Sequence, residues 1–153
     1  MNILKNMLSK QNKPIASIEE PWNTDSNKTV LVIDDSKTAL FSAKQTVNLL
    51  GFSCLLANDV VEGIQAADEL LPDLILMDVE MPKMNGFQAT RILRAKSTTC
   101  DIPIIIVSGT DSPANRMWSE KIGANGFLPK PLDGKTLNKL AKELIFLRLP
   151  KVS

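Results

Sequence analysis

Four polar stretches stand out because each closes an apolar run: Asp34-Asp35, Asp78, Ser108-Gly109 and Lys130-Pro131. If the three carboxylates converge they repel one another, and at ~4 Å with an effective dielectric near 20 each like pair costs roughly 4 kcal/mol. A bound cation or protonation must offset that cost. Lys130 supplies one positive charge and a divalent ion the rest. Two or three carboxylates, a backbone carbonyl and several waters suit Mg2+, a hard octahedral ion that keeps part of its hydration shell, whereas Ca2+ requires more oxygen ligands. The chain has no histidine, which excludes a Ser-His-Asp or Cys-His nucleophile, His-ligated zinc and a His general base near neutral pH. Chemistry here must run on carboxylates, lysine or a metal ion.

Short apolar runs carry these groups. Residues 29–33, 52–57, 73–78, 102–108 and 126–129 have the length and branching of strands. Between them lie amphipathic stretches: Leu40, Ala43, Val47 and Leu50 fall on one helical stripe, as do Leu137, Leu140, Ala141, Leu144 and Ile145. Helices also fit residues 60–70, 87–95 and 113–122. Five repeats of strand then helix predict an α/β fold with a parallel sheet covered on both faces, because right-handed crossovers need the intervening helices. Such a doubly wound sheet places its ligand crevice at the carboxyl ends of the strands, where all four polar stretches fall.

Composition bounds the rest. With 153 residues, 44% hydrophobic and 23% charged, the chain suits one globular domain and is too short for two full ones. Its 18 basic and 17 acidic residues leave a formal charge of +1, so no broad positive field exists for nucleic acid or anionic lipid. No apolar run approaches the ~18 residues of a membrane helix, and the first ten residues lack the apolar core of a secretory signal. Cys54 and Cys100 show no CxxC pairing and read as reduced thiols, which points to the cytoplasm. Residues 1–28 are rich in Asn, Ser, Lys, Thr and Pro and read as a flexible tail. Within that tail Ile3, Leu4, Met7 and Leu8 could form a short amphipathic turn, and Trp22 a packing anchor. A domain over 29–148 and a C-terminal tail over 149–153 complete the expected organisation.

The motifs VLVIDDS at 30–36, LILMDVEMPKMNG at 74–86, IIIVSG at 104–109 and GFLPKP at 126–131 resemble the receiver domain of bacterial two-component response regulators, the CheY-like family. Asp35, Asp78, Ser108 and Lys130 are separated in turn by 43, 30 and 22 positions, as in that family. The resemblance implies a flavodoxin-like sheet of strand order 2-1-3-4-5. It implies that Asp78 is the phosphoacceptor and that Asp34 and Asp35 are the acid pair. Mg2+ would be held by Asp35, Asp78 and the backbone carbonyl of Glu80, with Asp34 acting through the ion's water shell. Lys130 would pair with Asp78 and then with a phosphoryl oxygen. The chemistry is sound on its own terms: a carboxylate can attack phosphorus, and the transferred group needs positioning and neutralisation more than covalent help.

By the same resemblance Ser108 is the hydroxyl that moves to the phosphoryl group, and Phe127 the aromatic that turns inward, here without the hydroxyl of the commoner Tyr. Glu80 and Thr110, two positions beyond Asp78 and Ser108, would tune the lifetime of the acyl phosphate. Pro82 and Gly86 shape the following loop, and the Lys130–Pro131 bond is expected cis. After the last helix about six residues remain, which leaves no room for an output domain.

The expected function is therefore a single-domain response regulator. It is phosphorylated by a partner histidine kinase, self-dephosphorylating, acts on no external substrate, and changes its binding to a downstream target as a monomer or a phosphorylation-dependent dimer. NGFQATR at 85–91 and RMWSEKIGA at 116–124 resemble regulators of type IV pilus twitching motility. Met117 and Trp118 are expected as exposed apolar groups for a partner. Two alternatives compete: a phosphorylation-independent adaptor, and a haloacid-dehalogenase-like phosphatase. The latter needs a second Asp two positions after Asp78, where this chain has Glu80.

Overall fold

In the computed structural model, residues 27–146 are described. The amphipathic turn at Ile3–Leu8, Trp22 and the C-terminal tail lie outside them. Five strands, β1 (Thr29–Ile33), β2 (Ser53–Ala57), β3 (Leu74–Asp78), β4 (Ile104–Ser108) and β5 (Gly126–Pro129), alternate with five helices, α1 (Lys37–Leu49), α2 (Val60–Leu70), α3 (Gly86–Ala95), α4 (Pro113–Lys121) and α5 (Gly134–Phe146). All pairings are parallel and the strand order is β2-β1-β3-β4-β5, as expected.

Side chains alternate across the pleat. Val30 and Val32, Leu74 and Leu76, and Ile105 and Val107 face one layer with Leu40, Ala43, Val47, Leu137 and Ala141 of α1 and α5. Leu31 and Ile33, Ile75 and Met77, and Ile104 and Ile106 face the opposite layer with Val60, Ala67, Ala89 and Leu93 of α2 and α3. Every residue of β3 and β4 is buried, because both are interior strands covered on both faces.

Element ends follow local chemistry. Ser36, Asp59, Asn85 and Ser112 accept backbone N–H bonds at the N-termini of α1 to α4, satisfying donors that the helices leave open. At α3, Asn85 and Gln88 form a reciprocal capping box, so the helix begins at Gly86, one residue before its expected start. Three strands start later than expected. Phe52 donates its N–H to Val47 O in the turn closing α1, Asp73 receives the Thr29 N–H on its carboxylate, and Pro103 has no N–H to give. Lys28, expected in the leading segment, already accepts the Ser53 N–H at 3.0 Å. Arg94 ties α3 to the far side of β4, donating to the carbonyls of Cys100, Ile102 and Gly123 and to Asn125 Oδ1.

Candidate acidic site at the strand ends

The chain reverses its direction of travel across the sheet between β1 and β3, so their carboxyl ends leave a crevice between diverging loops. Asp34 and Asp35 follow β1 there, and Asp78 is the last residue of β3. Each of the three offers a carboxylate oxygen within 4.8 Å of the others. Asp34 and Asp78 are buried and Asp35 is exposed.

Lys130 reaches into this group from the loop after β5. Its ammonium donates to Asp34 Oδ2 at 2.8 Å and lies 2.9 Å from Asp78 Oδ1. The peptide bond that follows it, to Pro131, is cis, as expected. Asp34 is held on both oxygens, because Oδ1 accepts the Ser36 N–H at 2.9 Å. Asp78 is not: its Oδ1 is buried and, despite the nearby ammonium, takes no hydrogen bond of good geometry. Burial pushes the Asp78 carboxyl up; the Lys130 ammonium beside it opposes this, Asp34 and Glu80 add to it, and the result is about 6. Burial works against the Lys130 ammonium, yet the two carboxylates paired with it, Asp34 and Asp78, outweigh this and raise its pKa. A buried, underbonded carboxylate beside two more acids fits a hard divalent cation, which would supply the missing positive charge.

The backbone around Asp78 is close-fitting. A Cβ on Gly86 would stand 2.0 Å from Asp78 O, so only glycine lets α3 begin this near the end of β3. In the intervening loop Lys83 has φ 70°, and Met84 N–H donates to Pro82 O at 2.7 Å, the bond of a γ-turn.

On the opposite wall Ser108 is fully buried. Its hydroxyl lies 2.9 Å from Glu80 Oε1 and 3.1 Å from Thr110 O, and it accepts the Thr110 N–H at 3.0 Å. The Glu80 carboxylate thus stands apart from the three acids and engages Ser108, a role the sequence reading did not assign. Phe127, on β5 opposite Ile106, is part-buried beneath the guanidinium of Arg116. Arg116 and its partner Asp111 were also missed, since their link to Phe127 exists only once α4 has packed on β5. Met117 and Trp118 are exposed, at 49% and 51%. A cavity of about 490 Å³ opens beside the site along α1, lined among others by Asp34, Ala39, Ala43, Asp78, Lys130 and Leu132. Asp78 lines it while remaining only 3% exposed.

Chemically the site can present one carboxylate as a nucleophile, with a lysine and a cation at its sides and a hydroxyl opposite. Among the described residues no helix is long and apolar enough to cross a membrane.

Comparison with known proteins agrees with this arrangement. Residues 30–142 match the model of the response regulator receiver domain. The chain is 38% identical over 110 residues to Protein PilH of Pseudomonas aeruginosa, covering 72% of this chain and 91% of PilH. Among solved structures, the chemotaxis protein CheY4 of Vibrio cholerae superimposes with a TM-score of 0.73 at 29% identity, over 78% of this chain and 99% of CheY4. The receiver domain of the sensor histidine kinase PA1611 from P. aeruginosa, with a magnesium ion coordinated in its active site cleft, superimposes with a TM-score of 0.72 at 25% identity, over 78% and 98% of the two chains.

Proposed function

The chain belongs to the response regulator receiver domain family of two-component signalling, and from that premise we propose that it is a switch phosphorylated on Asp78 by a partner histidine kinase. The observation that carries this reading is the state of Asp78: a buried carboxylate at the end of an interior strand, with an oxygen that lacks a hydrogen bond and a lysine at 2.9 Å. In the transfer an Asp78 oxygen attacks phosphorus, the donor's N–P bond breaks, and the electron pair leaves with the imidazole. Water later attacks the acyl phosphate and returns the carboxylate and inorganic phosphate.

Asp35, Asp78 and the Glu80 carbonyl would hold Mg2+, with Asp34 behind them. When bound, the ion neutralises charge on the transferring group. Lys130, 2.9 Å from Asp78 Oδ1, would exchange that contact for a phosphoryl oxygen, a charge-assisted bond. Ser108 would leave Glu80 for the phosphoryl group, and Phe127 would follow, remodelling the face of α4, β5 and α5. Met117 and Trp118, exposed on α4, suit that face to a downstream protein. The likeness to PilH agrees with the resemblance of residues 85–91 and 116–124 to twitching-motility regulators, and we assign the chain to a chemosensory pathway of that kind, in the cytoplasm. We take the domain to be residues 29–148.

The experiment is intact-protein mass after incubation with acetyl phosphate, with and without Mg2+, for wild type and Asp78→Asn. A Mg2+-dependent gain of about 80 Da, one phosphoryl group, absent in the variant, is the expected result. No gain from acetyl phosphate or a kinase donor would overturn the reading and leave a receiver fold used as an adaptor.

A further inference from the structure

Phe127 carries no hydroxyl, so nothing but packing and its ring face can set its position. Over that face lies the Arg116 guanidinium, its carbon 4.8 Å from the ring centroid. The guanidinium is itself fixed. Its Nε donates to Asp111 Oδ1 at 2.6 Å and its Nη2 to Asp111 Oδ2 at 3.0 Å, a two-pronged pair that sets its plane as well as its place.

Asp111 stands three residues after Ser108, in the loop between β4 and α4. Thr110, the residue before Asp111, is held on both its backbone groups: its N–H donates to the Ser108 hydroxyl at 3.0 Å, and its carbonyl accepts from the Asn115 side-chain amide of α4 at 3.0 Å. Contacts and one peptide bond therefore run without a gap from Ser108 through Thr110 to Asp111, Arg116 and Phe127. Withdrawing the Ser108 hydroxyl breaks its bond to the Thr110 N–H and removes one of the two ties that hold the residue before Asp111.

We propose that Arg116, held by Asp111, is a positioning residue of the switch: it keeps Phe127 in its resting place, and the stack opens when Ser108 is drawn toward a group on Asp78. This rests on the reading of Asp78 as phosphoacceptor. A contact made only in the resting state opposes switching, and linkage requires that its loss tighten binding of whatever drives the switch by the same factor. An exposed cation–π contact corresponds to a factor of about two to five.

The test is calorimetric titration of the full chain with beryllium chloride in excess fluoride and saturating Mg2+, which builds a stable phosphoryl mimic on the carboxylate. Arg116→Ala should bind the mimic about two- to five-fold more tightly than wild type. Asp111→Asn should move affinity in the same direction, and adding it to Arg116→Ala should give no further gain. In a Phe127→Leu background Arg116→Ala should have no effect, closing the cycle on the ring contact. An arginine that merely braces the fold would lower the melting temperature of the Arg116→Ala variant and leave mimic affinity alone. Equal or weaker binding by Arg116→Ala, or an undiminished effect in the Phe127→Leu background, overturns the proposal while the phosphoacceptor reading stands. Failure of wild type to bind the mimic overturns that reading and the role of Arg116 with it.

Discussion

Replacing Asp78 by asparagine should make the protein more stable at neutral pH, although it removes the residue on which the proposed function depends. The Asp78 carboxyl rises from 3.8 to about 6 on folding, so its neutral form is favoured in the folded chain. The stabilisation of that neutral form is fully present below pH ~4 and is lost as pH rises through about 6. Above that, the folded protein carries an ionised carboxylate that is 3% exposed, at a cost of at most about 3 kcal/mol. Asparagine keeps the shape without the charge. Lys130 loses one of two acidic partners in the exchange and keeps Asp34, which leaves a net gain of about 1–2 kcal/mol. For a domain of this size that raises the melting temperature by about 5–10 °C. Urea unfolding of wild type and Asp78→Asn at pH 4 and pH 7, without and with Mg2+, reads this directly. The gain should be large at pH 7, near zero at pH 4, and smaller with Mg2+, which stabilises wild type alone. A variant less stable than wild type at pH 7, or an equal gain at both pH values, would refute the argument that burial of charge governs the site.

Other expectations rest on single contacts. Lys130→Ala should cost about 2 kcal/mol at pH 7, because two buried carboxylates lose their cation, and should take up the phosphoryl group without the change at α4; intact mass and Trp118 fluorescence separate the two effects. Gly86→Ala should lose about 2–3 kcal/mol and weaken Mg2+ binding in calorimetry, since its Cβ would press on Asp78 O from 2.0 Å. Arg94→Lys should be destabilised by about 2 kcal/mol in urea, as an ammonium cannot span the carbonyls of Cys100, Ile102 and Gly123 together with Asn125. Glu80→Ala should leave Ser108 without its carboxylate partner and change the lifetime of the phosphorylated form, measured by loss of the added mass with time.

The two-faced sheet was legible because alternation and branching mark strands regardless of context, and because Leu40, Ala43 and Val47 keep helical spacing in a chain with few competing apolar runs. The acid group was legible for a related reason. Polar residues that end apolar strands of a parallel sheet must share one edge, so Asp34, Asp35, Asp78, Ser108 and Lys130 could be brought together before any coordinates. Strand starts were less so, since the apolar side chains of Phe52 and Ile102 are buried whether or not their backbones join a ladder. Side-chain partnerships across elements were not legible at all. Nothing local distinguishes a Glu80 that reaches Ser108 from one that faces water, and Arg116 meets Phe127 only through the angle at which α4 lies on β5. The cavity beside Asp78 likewise depends on small side chains, Ala39 and Ala43, facing a loop distant in sequence.

β3 is buried along its whole length and bonded to a strand on either side. Its amides can exchange with solvent hydrogen only when the whole domain opens, whereas the loop from Gly109 to Ser112 exchanges through local fluctuation. The proposed phosphoacceptor is thus built into the part of the chain expected to exchange slowest, and the segments expected to respond lie in a faster one. In a single deuteration experiment β3 would register global stability, including the gain from Asp78→Asn, while the loop would register switching on its own timescale.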